Sequence, residues 1–387
     1  MNPAQSSLSP MPSPAAMASH PTIRLGFIPL VDAAVPIAAS ALGFDGAEGV
    51  RLDLVRDVSW SNIRDRLAFR QFDVAHLLGP MAVASQLGLG SNPCPVIAPF
   101  SLGLGGNAVT LSLALFQAMR EAAGADYRDE PAAHAHALAR VVRERAAKGL
   151  PPLTFAMTYP FSSHNYEFRA WMAQGGIDPD RDTAMTVVPP PLTVEALRSG
   201  AIDGFCVNAP WNVSAVEAGV GRIVAVKADI SRSSPEKVLG VRPDWWTENA
   251  EIGAALLRAL RRAALWCDEP GNRAELAAIL AAPEHLDGDR AALAAILAGD
   301  LTVSPDGTRR LLPNYLTFHR DEANRPRPAE ALWVYRQMVR WGQVADSETL
   351  AERAASAFRP DLFDAVFGPP AKGAGSPGEG DAAGRNG

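Results

Sequence analysis

Cysteine is scarce in this chain of 387 residues. The three cysteines, Cys94, Cys206 and Cys267, lie far apart and form no Cys-x-x-Cys pair. Disulfide frameworks and structural zinc sites both depend on cysteines at characteristic spacings. The sequence therefore predicts neither, and a reducing compartment would suit so few thiols.

Positive charge is also in short supply. The 36 Lys and Arg residues are outnumbered by 42 Asp and Glu residues, which gives a formal net charge of -6. No segment concentrates Lys or Arg into a patch. Because binding to nucleic acid needs a basic face that neutralises phosphates, we expect no direct contact with nucleic acid.

Long apolar runs are missing as well. A membrane-spanning helix needs about 20 consecutive apolar residues, so we expect no membrane insertion. Residues 1–21 contain no Lys or Arg and are interrupted by prolines, unlike a secretory signal. We expect a disordered leader at 1–21, a cytoplasmic location, and a disordered tail at 368–387, where ten residues are Gly or Pro.

The short motifs of common enzymes do not occur. The chain has no Gly-x-Ser-x-Gly, no phosphate-binding P-loop and no His-Glu-x-x-His. The glycine-rich segment 102–107 precedes a predicted strand, which is the wrong context for a dinucleotide-binding turn. His134 and His136 point to different faces of a predicted helix, and we expect both to be solvated. The sequence thus predicts no enzyme activity, no cofactor and no metal.

What the chain does contain is an alternation of strands and helices. Such alternation is typical of an α/β fold with a mostly parallel sheet. Two successive series of this kind indicate two lobes, and a cleft between lobes is a common place for a small ligand. The predicted strands cover residues 23–28, 51–55, 73–78, 108–113, 153–157, 186–188 and 204–207, and long helices are predicted at 251–267 and 332–341.

Several hydrogen-bond donors lie in the segments at strand ends. Trp60, Asn107 and Lys237 are the clearest, and a run of donors occupies 158–165. Singly, each has an ordinary structural explanation, such as packing for tryptophan, a helix cap for serine or a turn for Gly-Gly-Asn. Together they suit a small oxyanion, with Lys237 as the local cation and Trp60 as a flat wall for a planar monoanion.

Nine segments, in order along about residues 22–367, resemble the nitrate- and bicarbonate-binding proteins of the NrtA/CmpA type. Through them the chain resembles the NasS branch of cytoplasmic nitrate sensors. The segments are Ile23–Leu30, Val58–Leu67, Asp73–Met81, Gly106–Ser112, Phe161–Tyr166, Gly175–Asp180, Val188–Pro191, Ile202–Val207 and Pro235–Gly240.

The resemblance implies a type II periplasmic-binding-protein fold with two α/β lobes around a ligand cleft. Lobe 1 would comprise 22–115 and 232–367, and lobe 2 would comprise 116–231. By position, the resemblance also implies a nitrate-binding shell made of Trp60, Asn107, Thr158, His164 and Lys237.

The chain departs from the family pattern at three points. Asn107 stands where the family has a longer glutamine. The segment 208–212 lacks the family's glutamate, which puts any role of that carboxylate in doubt. The bicarbonate branch is associated with a calcium ion, and the sequence shows no dense carboxylate loop that would hold one.

Three functions remain to be compared. The first hypothesis is a cytoplasmic sensor of nitrate or nitrite that controls a NasT-like RNA-binding antiterminator with an ANTAR domain. The alternative is the substrate-binding component of a nitrate or bicarbonate ABC transporter. An enzyme with the related pyrimidine-synthase fold would need a cysteine-rich active site, which three scattered cysteines do not provide.

Overall fold

The computed structural model describes residues 20–90, 94–231 and 235–370. The predictions of a disordered leader and tail therefore fall almost entirely outside the described residues.

Each strand predicted from the sequence is present to within a few residues, but two strands of the first lobe's sheet and the short strands after residue 299 were not predicted. The described residues form fourteen strands. In chain order they are β1 Thr22–Phe27, β2 Arg51–Arg56, β3 Val74–Leu78, β4 Ile97–Ser101, β5 Leu104–Gly105, β6 Asn107–Ser112, β7 Thr154–Met157, β8 Ala184–Val187, β9 Gly204–Asn208, β10 Gly221–Val226, β11 Lys237–Val241, β12 Asp300–Thr302, β13 Arg309–Leu311 and β14 Leu316–Thr317.

The helices occupy the segments between these strands and most of the C-terminal third. They are α1 Ala34–Ala41, α2 Phe44–Ala47, α3 Trp60–Ala68, α4 Gly79–Gln86, α5 Leu113–Ala123, α6 Pro131–Ala147, α7 Ser163–Gln174, α8 Thr193–Arg198, α9 Trp211–Glu217, α10 Lys227–Ile230, α11 Pro243–Glu248, α12 Ala250–Asp268, α13 Arg273–Ala281, α14 Arg290–Ala298, α15 Pro328–Arg340, α16 Glu348–Ala355 and α17 Pro360–Phe367.

The first lobe is built on a five-stranded sheet with the order β2-β1-β3-β11-β4. Strand β1 runs parallel to both β2 and β3, whereas β11 is antiparallel to β3 and β4. The register pairs Lys237 with Leu78, so the start of β11 meets the carboxyl end of β3. Ligand sites of open α/β sheets lie at this edge.

The second lobe has its own five-stranded sheet, with the order β10-β6-β9-β7-β8. Asn107 at the start of β6 pairs with Asn208 at the end of the antiparallel strand β9. Because β6 belongs to this sheet, the chain enters the second lobe before residue 115, where we had placed the boundary. The chain returns to the first lobe between β10 and β11, and the predicted boundary at 231/232 lies between these two strands.

Side-chain caps explain where the two helices beside the cleft begin. Ser59 Oγ accepts the backbone N–H of Asn62 at the start of α3, at 3.2 Å. Ser162 Oγ accepts the backbone N–H of Asn165 at the start of α7, at 3.1 Å. Both serines therefore cap helices, which is the ordinary structural role expected for a serine before a helix.

The buried apolar side chains of the described residues form three clusters, and two of them contain side chains from both lobes. One of these two lies around Trp60. That cluster joins Trp60 of α3 to Tyr159 and Tyr166 of the second lobe and to Tyr335 of α15. Apolar packing therefore holds the lobes and the C-terminal helices together. Of the helices in the described ranges, none is both long and apolar enough to cross a bilayer.

The structure corrects one expectation about histidine. His134 is buried in α6, with Nδ1 2.9 Å from the carbonyl oxygen of Val224 and Nε2 3.0 Å from Asp129. His136 is exposed, as predicted. The prediction was wrong for His134 because helix periodicity shows which residues share a face and not which face packs against a second element.

Gly105 provides a test of the fold. Its φ is +88°, and an added Cβ would lie 2.1 Å from the backbone oxygen of Tyr315. We expect Gly105→Ala to lower the free energy of unfolding by at least about 2 kcal/mol, because left-handed strain and a backbone clash add together.

Gly219→Ala is the matched control, since its φ is +67° with nothing within 4 Å of an added Cβ. It should cost only about 1 kcal/mol, from strain alone. Equal losses in urea denaturation would contradict the close approach of β5 and β14.

Candidate functional site

A cluster of buried polar side chains lies where the two sheets face each other. The first lobe contributes residues after β1, within β3 and at the start of β11, and the second contributes residues at the start of β6, after β7, on α7 and at the start of α10. They are Asp32, His76, Glu236 and Lys237 from the first lobe, and Asn107, Thr158, Ser163, His164, Glu167 and Lys227 from the second.

Lys237 is the centre of this cluster, with only 1% of its surface exposed. Its Nζ lies 2.6 Å from Asp32 Oδ2, 3.2 Å from Glu236 Oε2 and 3.4 Å from His164 Nε2. Burial alone would lower the pKa of Lys237, but Asp32 and Glu236 outweigh burial and raise it above 10.5. Lys237 is therefore a cation that links the two lobes.

A second buried cation, Lys227, approaches from α10. Its ammonium group forms a short ion pair with Glu236 and lies 3.8 Å from Glu167 Oε1. Glu236 thus sits between two lysines, and Ser163 Oγ donates to its Oε2 at 3.2 Å. Burial would raise the pKa of Glu236, but Lys227 and Lys237 hold it below 4.5.

The amide of Asn107 is fully used within the protein. Its Nδ2 donates to Glu167 Oε2 at 2.9 Å and to Glu236 Oε1 at 2.8 Å. Its Oδ1 accepts from Asn208 Nδ2 at 3.0 Å. A side-chain amide has two N–H donors, so this arrangement leaves Asn107 none for a ligand. It positions two carboxylates instead.

His164 is held by Thr158 on one side and Lys237 on the other. Since an ammonium group only donates, Nε2 must accept from Lys237, and Nδ1 carries the proton and donates to Thr158 Oγ1 at 2.9 Å. Burial first, and then the charge of Lys237, holds the pKa of His164 well below 6.5. The imidazole is therefore neutral near pH 7.

Asp32 connects Lys237 to His76 and Trp60. Its Oδ1 lies 3.0 Å from His76 Nε2, and both of its contacts have ion-pair distances but not hydrogen-bond angles. His76 Nδ1 accepts the backbone N–H of Ile28 at 3.4 Å, so Nε2 carries the proton. The rings of His76 and Trp60 lie 5.3 Å apart.

The indole N–H of Trp60 is the unusual group of the site. Trp60 is 1% exposed, and its Nε1 has no hydrogen-bond partner among the residues the structure describes. A buried donor left unpaired costs about 1–3 kcal/mol, so such a group calls for an explanation. A small acceptor in the cleft would satisfy it.

All five predicted site residues belong to this connected cluster. Trp60 reaches it through His76, and Asn107, Thr158, His164 and Lys237 take part directly. The contacts of these residues differ. Asn107 and Thr158 form hydrogen bonds with other protein groups, whereas the indole N–H of Trp60 has no partner among the described residues.

Sequence reasoning missed five participating residues. They are Asp32, His76, Glu167, Lys227 and Glu236. The signal for His76 was a polar residue in the otherwise apolar strand β3. Glu236 lies next to Lys237 in the segment Pro235–Gly240, which carries part of the family resemblance. Nothing in the sequence distinguishes Glu167 or Lys227 from surface charges.

Contacts on the rim also cross between the lobes. Arg64 of α3 donates to Tyr159 Oη at 2.6 Å, beyond the end of β7. Tyr166 of α7 donates to Gln343 Oε1, after α15, at 2.7 Å. The helix that carries His164 is therefore tied to the C-terminal helices.

Comparison with known proteins shows a close match in sequence and fold. The NMT1-like family matches residues 16–281. The nitrate import ATP-binding protein NrtC of Synechocystis is 33% identical over 344 residues, covering 88% of this chain and 49% of NrtC. The bicarbonate transport ATP-binding protein CmpC of Synechococcus elongatus is 31% identical over 326 residues, covering 83% of this chain and 45% of CmpC. The chain thus spans about half the length of these relatives.

The crystal structure of the periplasmic nitrate-binding protein NrtA from Synechocystis superposes with a TM-score of 0.80 at 27% identity. The match covers 90% of this chain and 88% of NrtA. The predicted fold class, the type II periplasmic-binding-protein fold with two α/β lobes, is confirmed.

Three buried histidines make the stability depend on pH. Burial, in each case the largest cause, lowers the pKa of His76, His134 and His164 in the folded protein. Unfolding exposes them to water, where their pKa returns to about 6.5 and they take up protons.

When the pKa of a histidine is lower in the folded protein than in the unfolded chain, the difference has no effect on stability at pH values above the unfolded pKa. As the pH falls below the unfolded pKa, the unfolded chain takes up protons and the folded protein is destabilised. We therefore expect the free energy of unfolding to fall by up to about 1 kcal/mol per histidine between about pH 7 and 5.5. Urea denaturation across this range measures the slope. His134→Gln should reduce it and the exposed His136→Gln should not, and a slope unchanged in His134→Gln would contradict the assignment.

Proposed function

The chain belongs to the NMT1-like family, and we propose that it is a binding protein for a small monovalent oxyanion, with nitrate or nitrite as the ligand. The observation that carries this proposal is the buried indole N–H of Trp60, which has no acceptor among the described residues and stands beside a network centred on Lys237. The name of NrtA as a nitrate-binding protein supports nitrate as the ligand.

The roles proposed for the site residues follow from their contacts. Lys237 supplies the charge, and Trp60 supplies a neutral donor and an aromatic wall. Thr158 orients the imidazole of His164, and Asn107 positions the carboxylates of Glu167 and Glu236. Binding and not catalysis is the expected activity, since a nitrate ligand undergoes no reaction in such a shell.

We also propose that the protein is the cytoplasmic sensor implied by its resemblance to the NasS branch. In that role it would hold a NasT-like antiterminator and release it when nitrate binds. Support comes from contacts such as Arg64–Tyr159 and Tyr166–Gln343, because a change in lobe closure would move the surfaces on either side of them. The alternative is the substrate-binding component of a nitrate or bicarbonate ABC transporter.

Calorimetry with sodium nitrate tests the binding site. Trp60→Phe keeps an aromatic ring, although a smaller one, and removes the N–H, so we expect nitrate affinity to fall about fivefold to tenfold, the value of one hydrogen bond. Lys237→Met should weaken binding by more than about 100-fold, because it removes a buried charge. Lys148→Met, at the exposed end of α6, is the control and should bind normally.

Lys237→Met also leaves Asp32 and Glu236 unbalanced, so its folding must be checked by circular dichroism. Trp60→Phe does not have this problem. Unchanged nitrate affinity in a folded Trp60→Phe protein would contradict the proposed site, and titration with bicarbonate and nitrite would rank the ligands.

Gel filtration with a purified NasT-like protein tests the sensor role. The two proteins should co-elute without nitrate and separate when nitrate is added, because the ligand changes lobe closure. A complex that is insensitive to nitrate, or none at all with a protein that binds nitrate, would favour the transport component.

A further inference from the structure

Five charged side chains meet at the interlobe site among the residues that the structure describes. The carboxylates of Asp32, Glu167 and Glu236 meet the ammonium groups of Lys227 and Lys237, and all five residues are at most 6% exposed. Among these described residues, the carboxylates outnumber the ammonium groups three to two. A monoanion bound here would add a negative charge beside three buried carboxylates.

Such a charge is unfavourable away from water, because Coulomb interactions there are several-fold stronger than in bulk solvent. A protein can relieve it by taking up a cation together with the anion. Among the described residues, no group of three His, Cys, Asp or Glu side chains is arranged to hold a metal ion. A proton is the simplest cation that the existing side chains could accept.

The geometry around His164 points to the acceptor. Lys237 has three N–H donors, and its contacts are to Asp32, Glu236 and His164, with His164 the most distant at 3.4 Å. An anion that takes the third donor would come between Lys237 and His164. The lone pair on Nε2 would then face a negatively charged oxygen.

This repulsion disappears if Nε2 gains a proton and donates to the anion. Nδ1 already donates to Thr158, so the protonated ring would have a partner on each nitrogen. We propose that a monovalent oxyanion binds together with one proton and that His164 is the residue that accepts it. This inference rests on the proposed binding function and deepens it by naming a co-ligand.

The groups facing His164 support this assignment. Lys237, Glu236, Lys227 and His76 approach the ring from both lobes, and Lys237 is the charge that lowers its pKa most. An anion placed beside Lys237 would partly cancel that charge and raise the pKa of His164 toward neutrality.

Glu330 is the rival acceptor. It lies in the first turn of α15, and burial raises its pKa to about 7 although Arg327 and Lys227 oppose the increase. A carboxyl on Glu330 would gain its proton without contacting the ligand. The two assignments can therefore be separated by substitution.

The experiment is calorimetric titration of the full chain with sodium nitrate at constant ionic strength. Buffers with different ionisation enthalpies report the number of protons taken up per nitrate bound. At about pH 7.5, above the unperturbed pKa of histidine, we expect uptake of up to one proton. Between about pH 6 and 8 the affinity should fall by up to tenfold per pH unit.

Variants identify the acceptor. His164→Gln should still bind nitrate, more weakly, but without proton uptake and with an affinity that no longer depends on pH. His134→Gln replaces a buried histidine outside the cluster and should keep the uptake, as should Glu330→Gln.

The outcomes distinguish this inference from the function on which it rests. Failure to bind nitrate, nitrite or bicarbonate at any pH would overturn the binding function. Nitrate binding with no proton uptake would overturn the inference alone. Uptake that persists in His164→Gln and disappears in Glu330→Gln would assign the proton to α15 and overturn the role of His164.

Discussion

An ammonium group with almost no access to water needs carboxylates around it, and Lys237 imposes this requirement on both lobes. Its partners come from a turn after β1 and from the residue that precedes β11, so the sheet of the first lobe must be complete before the charge is balanced. The second lobe then supplies Lys227 against Glu236 and His164 against Lys237. Removing one partner from a buried ion pair commonly costs about 3–5 kcal/mol, so these contacts are mutually dependent.

This dependence connects the fold to the proposed function. The same side chains that hold the lobes together surround the place where an anion would bind, so ligand binding and lobe closure share one set of contacts. Helix α7 connects the contacts of the site to the C-terminal helices. His164 lies at the start of α7, and Tyr166, two residues later, donates a hydrogen bond to Gln343 beyond α15. A change in the site would thus reach the C-terminal helices through a single rigid element.

Most of the fold could be predicted from the sequence, because alternating strand and helix patterns are local. The strands β1, β3, β7 and β9 were all located to within a few residues, and the α/β class followed from their alternation with helices. The type II periplasmic-binding-protein fold was implied by the family resemblance. The lobe to which β6 belongs was misjudged for a physical reason. Its pairing with β9 and β10 is antiparallel and joins residues about a hundred positions apart, and no local pattern reports such a partner.

The site was predictable only in part, for a similar reason. The sequence by itself determined the donors, since Trp60, His164 and Lys237 lie at strand and helix ends that meet in this type of fold. Only the tertiary structure decided what those donors are free to do. It places Asp32 and Glu236 on Lys237 and leaves Asn107 with both of its amide hydrogens in use. A residue's chemical type is written in the sequence, but its charge balance and its remaining hydrogen-bonding capacity depend on neighbours that only folding brings within about 3 Å.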